Sequence, residues 1–188
     1  MNYVPVNRDR LNSQTLRTLL SWAAKNGHTE VVKLLMGPED VELDASDFRA
    51  RTPLFFAVLN GYEGVVRLLL SRHDINLNSL DNSRETHLGM AGFSATYLAT
   101  WCEHEKILGI PPAREDADPN LQNWNGWGPL SLAVGPGKTS MAKMLLERAD
   151  VDPDPVESDG WTPLDRARAN GYKDIVVLIQ SQISMMGQ

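Results

Sequence analysis

The chain has a single cysteine, Cys102, in 188 residues. One thiol cannot close an internal disulfide, so a cross-linked secreted scaffold is excluded. Long apolar runs are also missing. Stretches such as Val65–Leu70 are short and interrupted by Arg67, far below the ~20 residues that cross a bilayer. No basic run appears: 18 Lys and Arg face 24 Asp and Glu, for a net charge of −6. That balance suits nucleic-acid binding poorly, which needs clustered cations. No Asn is followed two residues later by Ser or Thr, so there is no glycosylation acceptor. Met1–Gln14 is polar and has no apolar h-region, so no signal peptide is expected. These absences predict an intracellular protein, cytoplasmic or nuclear, with no direct nucleic-acid or membrane partner. It is also expected to be a monomer.

What is present is a repeat. "RTLLSWAAKNGHTEVVKLLM" (17–36) and "RTPLFFAVLNGYEGVVRLLL" (51–70) match at a shift of 34. "WGPLSLAVGPGKTSMAKMLL" (127–146) and "WTPLDRARANGYKDIVVLIQ" (161–180) again lie 34 apart. A copy between them starts with "ETHLGMAG" (85–92) at the same spacing. Its second half, "HEKILGI" (104–110), comes into register only if eight residues are inserted within the unit. Five units are therefore expected, near 17–50, 51–84, 85–126, 127–160 and 161–180. A lead or cap (1–16) precedes them and a tail (181–188) follows.

Each unit has one grammar. Thr52 and Thr162 are placed to cap a short helix, with Pro53 and Pro163 where a missing N–H costs nothing. A small residue recurs inside it (Ala23, Ala57, Ala91, Ala133, Ala167), which lets neighbouring helices approach closely. Asn-Gly then ends the helix, and a second helix follows with apolar residues at helical spacing, such as Val65, Val66, Leu68 and Leu69. Polar loops rich in Asp and Asn close each unit.

This grammar, over Arg17 to Gln180, resembles the ankyrin repeat and in particular the multi-repeat arrays common in fungi. The resemblance implies an all-α solenoid of helix pairs with β-turn fingers, in which stacking builds the core that no single unit could bury. It also implies a non-catalytic protein–protein interaction module, an adaptor or scaffold, with another protein as partner and no cofactor, metal or catalytic residue. The alternatives are a regulatory subunit or transcriptional co-regulator that masks a partner's site and, more remotely, an enzyme built on the third unit. Carried over by register, the partner-binding positions are the finger tips: Phe48, Arg49 and Arg51; Asn82, Arg84 and Glu85; Trp124, Asn125 and Trp127; Asp159 and Trp161. Aromatic residues and arginine are the types enriched in binding hot spots. Trp127 and Trp161 also suit packing against a neighbouring finger.

The departures lie in known slots. The family's His after Thr-Pro-Leu is replaced by Ser21, Phe55, Gly89, Ser131 and Asp165. The third unit is expected to be the least regular, with a lengthened first helix or a bulge around Phe93–Cys102. The final residues, including Ile183, Met185 and Met186, are expected to fold back or fray.

Three stretches mimic chemical sites. "GPGKTS" (135–140) looks like a phosphate loop, but that motif needs a glycine five residues before Gly137, where Leu132 stands. In register it is an inter-helix turn, with Gly135-Pro136 shortening the preceding helix. "WCEHE" (101–105) offers Cys102 and His104 but too few ligands for zinc. The acidic loop "ERADVDPDPVESD" (147–159) lacks the calcium-loop spacing and reads as turn formers.

Overall fold

The computed structural model describes residues 18–37, 41–80, 94–110, 118–123 and 125–186. Among them are ten helices and no strand. They come in consecutive pairs: α1 (Leu19–Lys25) with α2 (Thr29–Leu35), α3 (Pro53–Leu59) with α4 (Glu63–Leu70), and α5 (Ala95–Trp101) with α6 (Glu105–Leu108). α7 (Pro129–Val134) with α8 (Thr139–Leu146) and α9 (Pro163–Ala169) with α10 (Lys173–Met186) complete the stack. The first helices pack side by side in one layer and the second helices in another. This is an all-α repeat solenoid.

Short helices of this kind are marginal alone, so caps and packing must hold them. Thr18, Thr52, Ser94 and Thr162 each take extended backbone and accept a hydrogen bond from the N–H three residues on. Such a cap contributes about 1 kcal/mol. α7 starts at Gly128 without a side-chain cap and ends one residue early, at Val134 before Gly135-Pro136, as the sequence suggested. The column of small residues sits where the first helices touch: Ala23, Ala57, Ala133 and Ala167 are each fully buried.

The third pair requires a correction. Ala91 and Gly89 fall outside the described residues, but the column position in this pair belongs to Ala99, which is 1% exposed. α5 follows Ser94, and Ser94 lies 42 residues after Thr52. The whole of α5 and α6 keeps that shift, so the eight extra residues precede α5 and do not interrupt it. α5 is an ordinary seven-residue capped helix, neither lengthened nor bulged. The slot given to Gly89 is filled by Tyr97, fully buried, whose hydroxyl accepts a hydrogen bond from Asn123 Nδ2 at 3.1 Å. Burial pushes the Tyr97 hydroxyl up to about 12, against the opposing pull of the Asn123 bond. Irregularity shows elsewhere in the pair: α6 has only four residues.

The chain's end differs too. Residues 181–186 do not fold back; they extend α10 as one continuous helix to Met186.

The inter-helix turns form a ladder along the stack. Gly61 has φ +73°, which a side chain would strain, and a Cβ there would lie 2.8 Å from the His104 ring of the next pair. Tyr62 covers Gly27 and Tyr172 covers Gly137 in the same way. One rung has different chemistry. Glu103 stands in the glycine slot with φ +59°, and Lys138 stands where the ring should be. Lys138 Nζ instead reaches Glu103 Oε1 at 3.2 Å. The lysine of "GPGKTS" thus serves as a rung of the turn ladder, and Gly137, at φ +77°, is an ordinary turn glycine.

Candidate functional site

Three described finger turns share one geometry. The N–H of Asp47 donates to the carbonyl of Arg51, Asn123 to Trp127 and Glu157 to Trp161, at 2.8–3.2 Å. Each turn passes through a left-handed residue, Ala50, Gly126 or Gly160. In the first finger Asp47 is buried and accepts from the N–H groups of Arg49 and Arg51 and from the Arg51 guanidinium at 3.0 and 2.7 Å. Burial opposes its ionisation, but these donors outweigh it and hold the carboxyl below its ordinary value. Asn123 Oδ1 accepts the N–H groups of Asn125 and Trp127 at 3.0 Å each, repeating the pattern without a charge.

These turns decide the fate of the expected tip residues. Phe48 is 57% exposed, with the Arg49 guanidinium 5.3 Å from its ring centre. Arg51 is turned inward, paired with Asp47 and lying 5.2 Å over the Phe56 ring. Asn125 is exposed. Trp127 is half-buried against Tyr97 and Leu132, so much of its surface serves packing. Trp161 is 44% exposed, and Asp159 accepts its N–H. Asn82, Arg84, Glu85 and Trp124 lie outside the described residues.

Sequence reasoning missed the residue that joins the last two fingers. Arg166 of α9 lies 5.0 Å over Trp127 and 5.8 Å from Trp161. Its guanidinium pairs with Glu157, through Nε at 2.7 Å, and with Asp159 at 2.7 Å. Those partners raise its already high basicity. The signal was present: Arg166 occupies the slot of Phe56, Leu98 and Leu132, all buried, and an arginine there demands acidic company.

A second group was also missed. Trp22 on α1, Leu59 on α3 and Trp101 on α5 are exposed, at 54%, 37% and 38%. Leu59 and Trp101 share one slot at the C-terminal end of adjacent first helices, and Trp22 sits one turn back on the next helix over. The Trp22 and His28 rings are 5.3 Å apart. The slot changes to Gly135, just past α7, and to Ala169 in α9, so the apolar row covers only the first three pairs. Periodicity alone does not show it, because Trp22 stands in the slot where Phe56, Leu98 and Leu132 are buried.

The sites of apparent chemistry resolve into structure. Burial pushes the Cys102 thiol up, away from the thiolate a nucleophile needs. The His104 ring contacts the Leu59 carbonyl at 3.3 Å in its turn role. In the acidic loop, Asp152 accepts the N–H of Asp154, Asp154 that of Leu164, and Asp150 pairs with Arg148 at 2.7 Å. Among the described residues no group of three His, Cys, Asp or Glu side chains is placed to hold a metal ion. No described helix is long and apolar enough to cross a membrane.

A two-layer stack of helix pairs, joined by β-turn fingers and a turn ladder, defines a repeat protein of the ankyrin type. The family model for ankyrin repeats in three copies matches residues 4–81, 20–110 and 103–186. The chain belongs to the ankyrin-repeat family. None of the curated proteins searched matches it. Ankyrin repeats are in general protein–protein interaction modules and are typically non-catalytic.

Proposed function

We propose that this protein is a non-catalytic adaptor or scaffold inside the cell, which displays its finger and first-helix face to a protein partner. The observation that carries this reading is the exposed row Trp22, Leu59 and Trp101 on side-chain-capped helices, with Phe48 on the neighbouring finger turn. Aromatic side chains on rigid supports make strong anchors because little conformational freedom is lost on binding. Trp127, Asn125, Asp159 and Trp161 extend the face along the later fingers. Arg51 drops from the expected set as a direct contact, since Asp47 and Phe56 already occupy its guanidinium. A stable interface on such a face buries on the order of 1,200–2,000 Å².

The test is affinity capture from the native cell with three forms: wild type, Trp22→Ala/Leu59→Ala/Trp101→Ala, and Phe48→Ala/Trp161→Ala. Both variants change exposed side chains, and circular dichroism should show the fold kept. Selective loss of the same partners from each supports the face. Equal recovery with all three forms removes it.

A further inference from the structure

The buried apolar residues are not one continuous group along the stack. Among the described residues, one large group runs through pairs one to three, from Leu20 to Ile107, and another through pairs four and five, from Leu130 to Ile179. Val66, Leu69 and Ile107 tie α4 to α6 inside the first; Ala142, Leu145 and Ile175 tie α8 to α10 inside the second. Of the described residues, only the half-buried Leu108 packs against both groups. The cause is local. α6 has four residues where α4 and α8 have eight, so it offers α8 about one turn of surface. At its end the Met144 methyl reaches over Gly109, 3.1 Å from where a Cβ would stand. That contact is made by the tip of a flexible side chain.

The other two connections at this boundary differ in strength. In the first-helix layer, Tyr97 of α5 and Leu132 of α7 are buried together, with Phe55 and Trp127 packed against them. That layer runs across the boundary without a break. At the turns, the boundary rung is Glu103–Lys138, where the other described rungs set a ring on a glycine. Glu103 is held in a left-handed conformation that favours glycine, and its side chain is 68% exposed. An ion pair so exposed contributes little and is screened by salt. The boundary between pairs three and four is therefore firm along the first helices and weak along the second helices and the turn.

We propose that the array opens as two blocks, pairs one to three and pairs four and five, with the Tyr97–Leu132 contact as pivot and Glu103–Lys138 as latch. Each block keeps its own core as the second-helix layer parts between α6 and α8. Cooperative units of this kind open below the free energy of global unfolding, and a hinge needs only a few residues to yield. Trp22, Leu59 and Trp101 ride on the first block, Trp127 and Trp161 on the second. The hinge thus sets the spacing between the two halves of the proposed partner face. Only that consequence rests on the proposed function; the hinge stands or falls without a partner.

The test is amide hydrogen exchange of the full chain, read by mass spectrometry along a urea series below global unfolding. The amides of α1–α6 are expected to follow one urea dependence and those of α7–α10 another, with protection differing several-fold. Glu103→Gly/Lys138→Tyr copies the glycine–tyrosine rung of Gly27–Tyr62 and should narrow that difference several-fold. Lys138→Glu sets two like charges at the latch and should widen it, with the circular dichroism spectrum kept. One urea dependence shared by all ten helices overturns the proposal. So does a division that falls between any other two pairs. A difference that neither variant moves shows that Glu103–Lys138 is no latch and also overturns it.

Discussion

The second and third helix pairs follow one plan with different parts. α3 opens with Thr52 and Pro53, α5 with Ser94 and Ala95, and both caps make the same bond. The turn after α3 uses Gly61 under the His104 ring; the turn after α5 uses Glu103 bound to Lys138. α4 has eight residues and α6 has four. The comparison teaches that a repeat tolerates new residues when both sides of a contact change together. Register is carried by the cap and the buried small residue rather than by the Thr-Pro-Leu wording.

The comparison breaks most severely if one side of a rung changes alone. Gly61→Glu forces a side chain into positive φ and into the His104 ring. It should lower stability by about 2–4 kcal/mol in chemical denaturation. Adding His104→Lys copies the Glu103–Lys138 rung and should recover part of that loss. If the second change recovers nothing, the rungs are not interchangeable.

Ala99 tests the shift of 42 directly. Ala99→Leu should cost about 1–3 kcal/mol, because the column has no room between first helices. A neutral result would place the close contact elsewhere.

Tyr97 sets the third pair apart by a polar core contact that Phe55 does not make. Tyr97→Phe strands the Asn123 amide and should cost about 1 kcal/mol. The pH dependence has a definite sign. The folded protein holds this hydroxyl at about 12, above its ordinary value of 10.0. Its contribution is complete below 10 and declines as pH rises from there through about 12. The phenylalanine variant should lack that alkaline decline, which thermal melts across the range will show.

The smallest expected change is a gain. Glu103→Gly removes backbone strain and gives up an ion pair whose glutamate is 68% exposed, so stability should rise by about 0.5–1 kcal/mol. A loss of more than that amount would mean the ion pair outweighs the strain.

The pattern of Thr-Pro-Leu, Asn-Gly and paired apolar helices was legible because each word has a local cause: a cap, a left-handed turn, a helical stripe. The placement of the third pair was not. "ETHLGMAG" imitates the wording at a spacing of 34, while "SATYLATW" keeps only the cap, the alanine and the buried face. The finger tips were readable as turns, but which side chains pair inward was not. Arg51 and Arg166 are spent on nearby carboxylates, Asp47, Glu157 and Asp159, at which the finger turns aim them. The row of Trp22, Leu59 and Trp101 was equally hidden, since exposure depends on what each neighbouring helix covers.

The central claim is that partners are held on the first-helix face. The most direct measurement places a photo-crosslinking residue at Leu59, and in a second form at Arg67 on the outer face of α4, in the native cell. The account predicts partner crosslinks from position 59 and none from position 67. Crosslinks from 67 with none from 59 would contradict it.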